Sequence, residues 1–132
     1  MTGVLLAAAL EPGPFAARDA RDLVSGLAPH IPGPVLLDVV LLVSELVTNS
    51  NRHGPGGPIG LRVVLSGNRL RVEVTDPGGA ETTPTLTEPP AAGWGLRLVD
   101  RVACRWGAED GPPTLVWFEL PIAPADRGAP PG

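Results

Sequence analysis

The chain has 132 residues, a length typical of one domain that buries its own core. Its formal net charge is −4 and every positive charge is an arginine, so we do not expect a basic nucleic-acid interface. The single cysteine, Cys104, cannot form an internal disulfide, which favours a cytoplasmic protein, and no Cys/His cluster has metal-ligand spacing.

Neither of the two apolar segments in the first half of the chain has the features of a signal peptide or a membrane-spanning helix. Residues 4–10 lack the basic flank of a signal peptide and are followed directly by Glu11. The run at residues 35–43 is too short to cross a bilayer and is closed off by Glu45 and Asn49. We therefore expect no contact with a membrane.

The first half of the chain predicts one strand and two helices. Residues 4–10 are predicted as a short strand, and residues 14–28 as an amphipathic helix that ends at the prolines after it. From Val35, or the proline before it, to Arg52 the sequence predicts a second helix with apolar residues on every face. Such a helix should be buried on most sides. Gly54, just past its end, suits a helix terminus.

A hairpin follows. Residues 59–66 and 69–76 are predicted as its two strands, joined at Gly67-Asn68. The second strand alternates apolar and polar residues, as expected when one face of a sheet is buried.

After the hairpin the sequence predicts a loop, a helix and a last strand. Residues 80–92 are rich in Thr and Pro and have no periodicity, as in loops that serve as lids. A helix is predicted at residues 96–106, with a short strand within 104–109, and the final strand at 114–121. The Pro/Gly/Ala-rich residues 122–132 are predicted to be a disordered tail.

This order of elements predicts a two-layer α/β sandwich. We expect a mixed, mostly antiparallel sheet with about three helices on one of its faces. Residues 1–121 are assigned to a single domain.

Three short pieces of sequence place polar residues or glycines at element ends. The first consists of Glu45, Asn49 and His53, which are spaced by four residues and so share one side of the second helix. A carboxylate on a mostly buried helix must be paired, hydrogen-bonded or near a cation. By itself, this stripe fits a helix end that emerges into solvent equally well.

The other two pieces are glycine-rich junctions, Asp76-Pro77-Gly78-Gly79 after a strand and Gly93-Trp94-Gly95-Leu96 before a helix. Each alone is most often only a turn or a flexible helix entry. Together with the polar stripe they describe a nucleotide site. Glycines and a helix N-terminus accommodate phosphates, an aspartate can accept a hydrogen bond from an adenine amino group, and an amide oxygen suits Mg²⁺.

On these residues the chain resembles the GHKL group of ATP-binding domains, the fold shared by DNA gyrase and histidine kinases. The resemblance extends over nearly all of residues 4–121 and is carried by the segments LVSELVTNSNRHG, VEVTDPGG, GWGLRLVD and TLVWFEL. Within that group the chain is most similar to the small stand-alone serine/threonine kinases that act as anti-sigma factors in bacteria.

The resemblance implies a role for each candidate residue. Glu45 would be the catalytic base or an orienting carboxylate, Asn49 would bind Mg²⁺ next to ATP, and Asp76 would bind the adenine amino group. For His53, capping of the helix C-terminus is at least as good an interpretation as contact with ATP. The other ATP contacts would come from Gly78, Gly93, Trp94, Gly95, Leu96 and Thr114.

The resemblance also implies an ATP- and Mg²⁺-dependent protein kinase that sequesters a sigma factor and phosphorylates a small anti-sigma-factor antagonist, with a homodimer as an expectation. The alternative is a nucleotide-binding regulatory module with little or no kinase activity. The presence of Glu45 favours the kinase. A histidine-kinase fragment has less support, because His30 lies in a Pro/Gly linker without a phosphoacceptor-helix motif.

Overall fold

The computed structural model describes residues 2–53, 57–76, 97–109 and 113–122. Residues 97–102 are helical and are called α3. The other elements, in chain order, are β1 Thr2–Leu10, α1 Ala16–Ser25, α2 Gly33–His53, β2 Ile59–Ser66, β3 Arg69–Asp76, β4 Arg105–Glu109 and β5 Thr114–Pro121.

The five strands form one sheet in the order β1-β2-β3-β5-β4, and each neighbouring pair is antiparallel. The β2–β3 hairpin turns at Gly67, whose φ of 61° is a conformation that glycine adopts readily. β5 returns from the far end of the chain to pair with β3, so the centre of the sheet joins residues distant in sequence.

The helices lie on one face of this sheet. Each helix buries one stripe of residues and each strand buries every second residue, so the two layers share one core. In α1 every fourth residue is buried: Ala16, Ala20 and Val24. In α2 the fully buried stripe has helical spacing: Val39, Leu42, Val43, Leu46 and Val47. Alternate strand residues complete this core, with Phe118 the largest fully buried side chain, and Val99 of α3 joins it.

The predicted α/β sandwich is confirmed, with every described strand pair antiparallel rather than mixed. The predicted bounds of β2, β3 and β5 agree with the structure. The expectation that α2 is buried on most sides is wrong, because Leu37 and Leu41 are exposed and only one stripe is fully buried. Its window Gly33–Ser50 has a mean hydropathy of 1.4, enough by length and composition alone to cross a membrane, a test that core helices also pass.

The predicted helix over residues 96–106 is wrong at its C-terminal end. α3 ends at residue 102 and β4 begins at Arg105. The backbone N–H of Cys104 donates to the Glu119 carbonyl at 3.0 Å, and Trp106 lies opposite Phe118. Pairing with β5 therefore overrides the local helical pattern.

The C-terminal end of the described chain also differs from the prediction. Ile122, placed in the tail by the sequence, is buried, and its N–H donates to the Asn68 carbonyl at 2.7 Å. The rest of the predicted tail, residues 123–132, and the predicted lid over 80–92 lie outside the described residues.

Candidate functional site

The C-terminal half of α2, the end of β3 and the start of β5 meet at one end of the sandwich. Asp76 is the last residue of β3 and lies directly opposite Thr114, the first residue of β5. The Ser50 hydroxyl of α2 donates a hydrogen bond to Asp76, with 2.5 Å between Oγ and Oδ2. Three elements distant in sequence therefore meet at Asp76.

Strand alternation explains why Asp76 is directed into the protein rather than into solvent. Leu70, Val72 and Val74 are the buried residues of β3, and Asp76 continues their period of two at the strand end. Thr114 opens the buried series of β5 in the same way. Both polar side chains therefore lie at the edge of the core, on the face that carries the helices.

Asp76 is only 9% exposed, and its two carboxylate oxygens have different surroundings. Oδ2 accepts the hydrogen bond from Ser50. Oδ1 is shielded from solvent and has no hydrogen-bond partner among the residues that the structure describes. An unsatisfied buried acceptor is costly, so a ligand that brings a donor to Oδ1 would recover free energy.

Ser50 is a site residue that the sequence analysis missed. It lies four residues after Leu46 and three after Val47, so it continues the buried stripe of α2. A serine at such a position needs a hydrogen-bond partner. That requirement was the signal in the sequence that could have identified it.

Glu45 and Asn49 lie one helical turn apart on α2, beside the fully buried stripe, and both are half-buried. The rotation of the helix is set by the buried Val and Leu side chains, so the position of these two polar residues follows from core packing. Asn49 directly precedes Ser50, which places it next to the residue that contacts Asp76.

The oxygen ligand that α2 offers fits a metal ion that also keeps ligands from outside the protein, such as water. The amide oxygen of Asn49 is a ligand of the kind that Mg²⁺ accepts together with waters and phosphates. Within the described part of the chain no group of three or more His, Cys, Asp or Glu residues could hold a metal. A cation here would depend on ligands from a bound nucleotide.

The structure brings together Asp76, Thr114 and Ser50, and Asn49 precedes Ser50 on α2. The side chain of His53, at the end of α2, is not described. Five predicted ATP-contacting residues lie outside the described ranges: Gly78, Gly93, Trp94, Gly95 and Leu96. The phosphate side of the site therefore remains a prediction from the sequence.

Comparison with known proteins identifies a family over most of this architecture. A family model described as a histidine kinase-like ATPase domain matches residues 10–114. The matched span contains Glu45, Asn49 and Asp76 and ends at Thr114, so it covers every site residue that the structure brings together. A search of curated proteins found no match.

Proposed function

Because the chain belongs to the family of histidine kinase-like ATPase domains, we propose that it binds ATP with Mg²⁺ where α2, β3 and β5 meet, and transfers the γ-phosphate to a protein serine or threonine. The observation that carries the proposal is Oδ1 of Asp76, which is shielded from solvent and has no hydrogen-bond partner within the described part of the chain. Its position beside Thr114 and Ser50 gives it the surroundings of a residue that recognises a base.

Recognition of the base follows from the two oxygens of Asp76. The Ser50 hydroxyl donates to Oδ2 and holds the carboxylate in one orientation. Oδ1 then accepts the hydrogen bond that the exocyclic amino group of adenine donates. Guanine carries a carbonyl oxygen at the equivalent position, so two acceptors would face each other and GTP should be rejected.

Phosphate transfer is assigned to the preceding turns of α2. Glu45 precedes Ser50 by five residues, about 7.5 Å along the helix axis, so base recognition and transfer occupy different positions on one helix. Asn49 would supply an oxygen ligand to Mg²⁺, which when bound neutralises charge on the phosphates. Glu45 would orient the substrate hydroxyl and accept its proton.

The proposed protein substrate is a small anti-sigma-factor antagonist, and the proposed regulatory partner is a sigma factor. Support for both comes from the resemblance of four sequence segments to the stand-alone anti-sigma-factor kinases. The same resemblance supports a homodimer, and the single cysteine, Cys104, supports a cytoplasmic location.

A second candidate is a nucleotide-binding regulatory module with little or no kinase activity. It is favoured by the Ser50–Asp76 hydrogen bond, which would support recognition of the base but has no part in phosphate transfer. Glu45 separates the two candidates, because only the kinase requires it.

Calorimetric titration with ATP and GTP, with and without Mg²⁺, tests the base pocket. We expect wild type to bind ATP and to bind GTP at least about tenfold more weakly, since an acceptor–acceptor contact replaces a hydrogen bond. Asp76→Asn puts an amide where Oδ1 stood and should abolish the preference for ATP. Asp22→Asn, on the exposed face of α1, is the matched control. Equal binding of ATP and GTP by wild type would contradict the proposal.

Transfer of labelled phosphate to antagonist-like proteins from the same genome neighbourhood tests the kinase. Glu45→Ala should retain ATP binding and lose transfer by about 10²–10⁴-fold, the usual contribution of a general base. The Asp22→Asn control should transfer at the wild-type rate. ATP binding without any transfer that depends on Glu45 would establish the regulatory module instead.

A further inference from the structure

The sheet face opposite the helices carries a cluster of arginines at the centre of the sheet. We call it the arginine groove, and it is formed by Arg62, Arg69, Arg71, Glu73, Arg105 and Glu119. Register pairs these residues across strands, so they share one face although they come from four different strands. Its volume of about 480 Å³ is within the range of sites that bind small ligands or short segments.

The two carboxylates of the groove lie beneath its guanidinium groups. Glu119 contacts Arg69 at 3.4 Å and both Arg71 and Arg105 at 3.5 Å. The side chains of Glu119 and Glu73 are 12% and 19% exposed, whereas those of the four arginines are 31–62% exposed. The outermost layer of the groove is therefore positive, although the whole chain carries a net charge of −4.

The arginines favour the charged form of the Glu73 carboxylate. Partial burial by itself raises the pKa of the Glu73 carboxyl. Hydrogen bonds from Arg71 and Arg62, together with their positive charges, outweigh burial and lower the pKa below its usual value. Four guanidinium groups carry about twenty N–H donors, against about eight acceptor positions on two carboxylates, so donors remain for another anion.

The ring of Trp117 contacts two of the arginines, Arg71 and Arg105. The ring lies over Gly107, where an added Cβ would approach ring atoms to 2.8 Å. The guanidinium of Arg71 lies 4.2 Å from the ring centroid and that of Arg105 lies 5.8 Å from it. Cation–π contacts of this kind restrict the guanidinium orientations, which lowers the entropic cost of binding a ligand.

We propose that the arginine groove binds an acidic, Asp/Glu-rich peptide segment of a protein partner. Each guanidinium presents a planar fork that matches a carboxylate, and four guanidiniums exceed two carboxylates by two charges, which an acidic segment would complement. The groove and the nucleotide site lie on opposite faces of the sheet, so both can be occupied together.

The test uses a fluorescein-labelled peptide of alternating aspartate and glutamate, followed by anisotropy at low and high salt. A double variant, Arg62→Gln with Arg105→Gln, removes two charges but leaves Arg71 on Glu73, and Arg69 and Arg71 on Glu119. Each carboxylate therefore keeps a partner, and circular dichroism should confirm the fold. Arg18→Gln, an exposed arginine of α1, is the matched control.

We expect wild type and Arg18→Gln to bind the peptide, more weakly at high salt, and the double variant to bind about tenfold more weakly because two charge-assisted contacts are lost. ATP binding should be unchanged in all three. Equal binding by wild type and the double variant, or no binding by wild type at low salt, would overturn the proposal. So would tighter binding of a single-stranded oligonucleotide with the same arginine dependence. Dimerisation that depends on Arg62 and Arg105 and excludes the peptide would assign the groove to a second copy of the chain instead.

Discussion

The hydroxyl of Ser50 donates to Oδ2 of Asp76 across 2.5 Å and connects α2 to the end of β3. This contact uses one carboxylate oxygen, while the other, Oδ1, has no partner within the described residues. The serine thus determines which oxygen is available to a ligand. In the proposed site it would act on the nucleotide through Asp76, as a positioning residue.

Removing the Ser50 hydroxyl should weaken ATP binding. We expect Ser50→Ala to raise the Kd for ATP by about tenfold, because the loss of a hydrogen bond to a charged group typically costs 1.5–3 kcal/mol and frees the carboxylate to rotate. Ser50→Thr keeps a hydroxyl and should restore part of the affinity. Ser25→Ala, at the exposed end of α1, is the matched control. If calorimetry gives the same Kd for Ser50→Ala and wild type, the positioning role is wrong.

The ionised carboxylate of Glu73 should stabilise the fold, and this stabilisation should be lost in acid. The pKa of Glu73 is lower in the folded protein than its ordinary value of 4.5, so its ionised form stabilises the fold above that pH. This contribution is lost as the pH falls through the folded-state pKa, below 4.5. The difference in unfolding free energy between wild type and Glu73→Gln, measured in urea, should therefore shrink as the solution is acidified.

Glu11→Gln, the same substitution at an exposed position, is the control for Glu73→Gln. A difference between wild type and Glu73→Gln that stayed constant across the acid range would show that the arginines do not hold the charged carboxylate.

A methyl group at position 107 should disturb the packing of the Trp117 ring over β4. Because the added Cβ would lie 2.8 Å from the ring, the ring or the β4–β5 pair must move. We expect Gly107→Ala to lower the free energy of unfolding by about 1–3 kcal/mol, as overpacking does. Gly3→Ala, on edge strand β1 with nothing within 4 Å of the added Cβ, should change it little. Equal stabilities of the two variants in urea would show that Trp117 is free to rearrange.

Two leucines of α2 allow a direct measurement of its packing. Leu42 is fully buried and Leu37 is 72% exposed on the same helix. Leu42→Ala should cost about 2–5 kcal/mol, since it removes a buried side chain and leaves a cavity. Leu37→Ala should remain within about 0.5 kcal/mol of wild type. Comparable losses in thermal or urea unfolding would mean that a partner or a second copy covers the exposed side.

Local patterns predicted the elements whose formation depends on neighbours in sequence. The β2–β3 hairpin was predicted at its observed bounds, because alternation and the Gly67-Asn68 turn both lie within a few residues. The end of α3 was not predicted correctly, because it depends on the pairing of β4 with β5. This pairing brings the N–H of Cys104 to the Glu119 carbonyl. The local sequence supported both a helix to residue 106 and a short strand within 104–109, and pairing with the distant strand decided in favour of the strand.

For the candidate site, local sequence was enough to find residues of suitable chemistry: Glu45 and Asn49 one helical turn apart, and Asp76 at a strand end. Their order and spacing were enough to indicate a nucleotide site. The folded structure was needed to show that Thr114 lies opposite Asp76 and that Ser50 donates a hydrogen bond to its carboxylate. It also gathered four arginines on the other face of the sheet. The physical reason is that strand register and helix docking are set by burial of the shared core, which brings together side chains far apart in the chain.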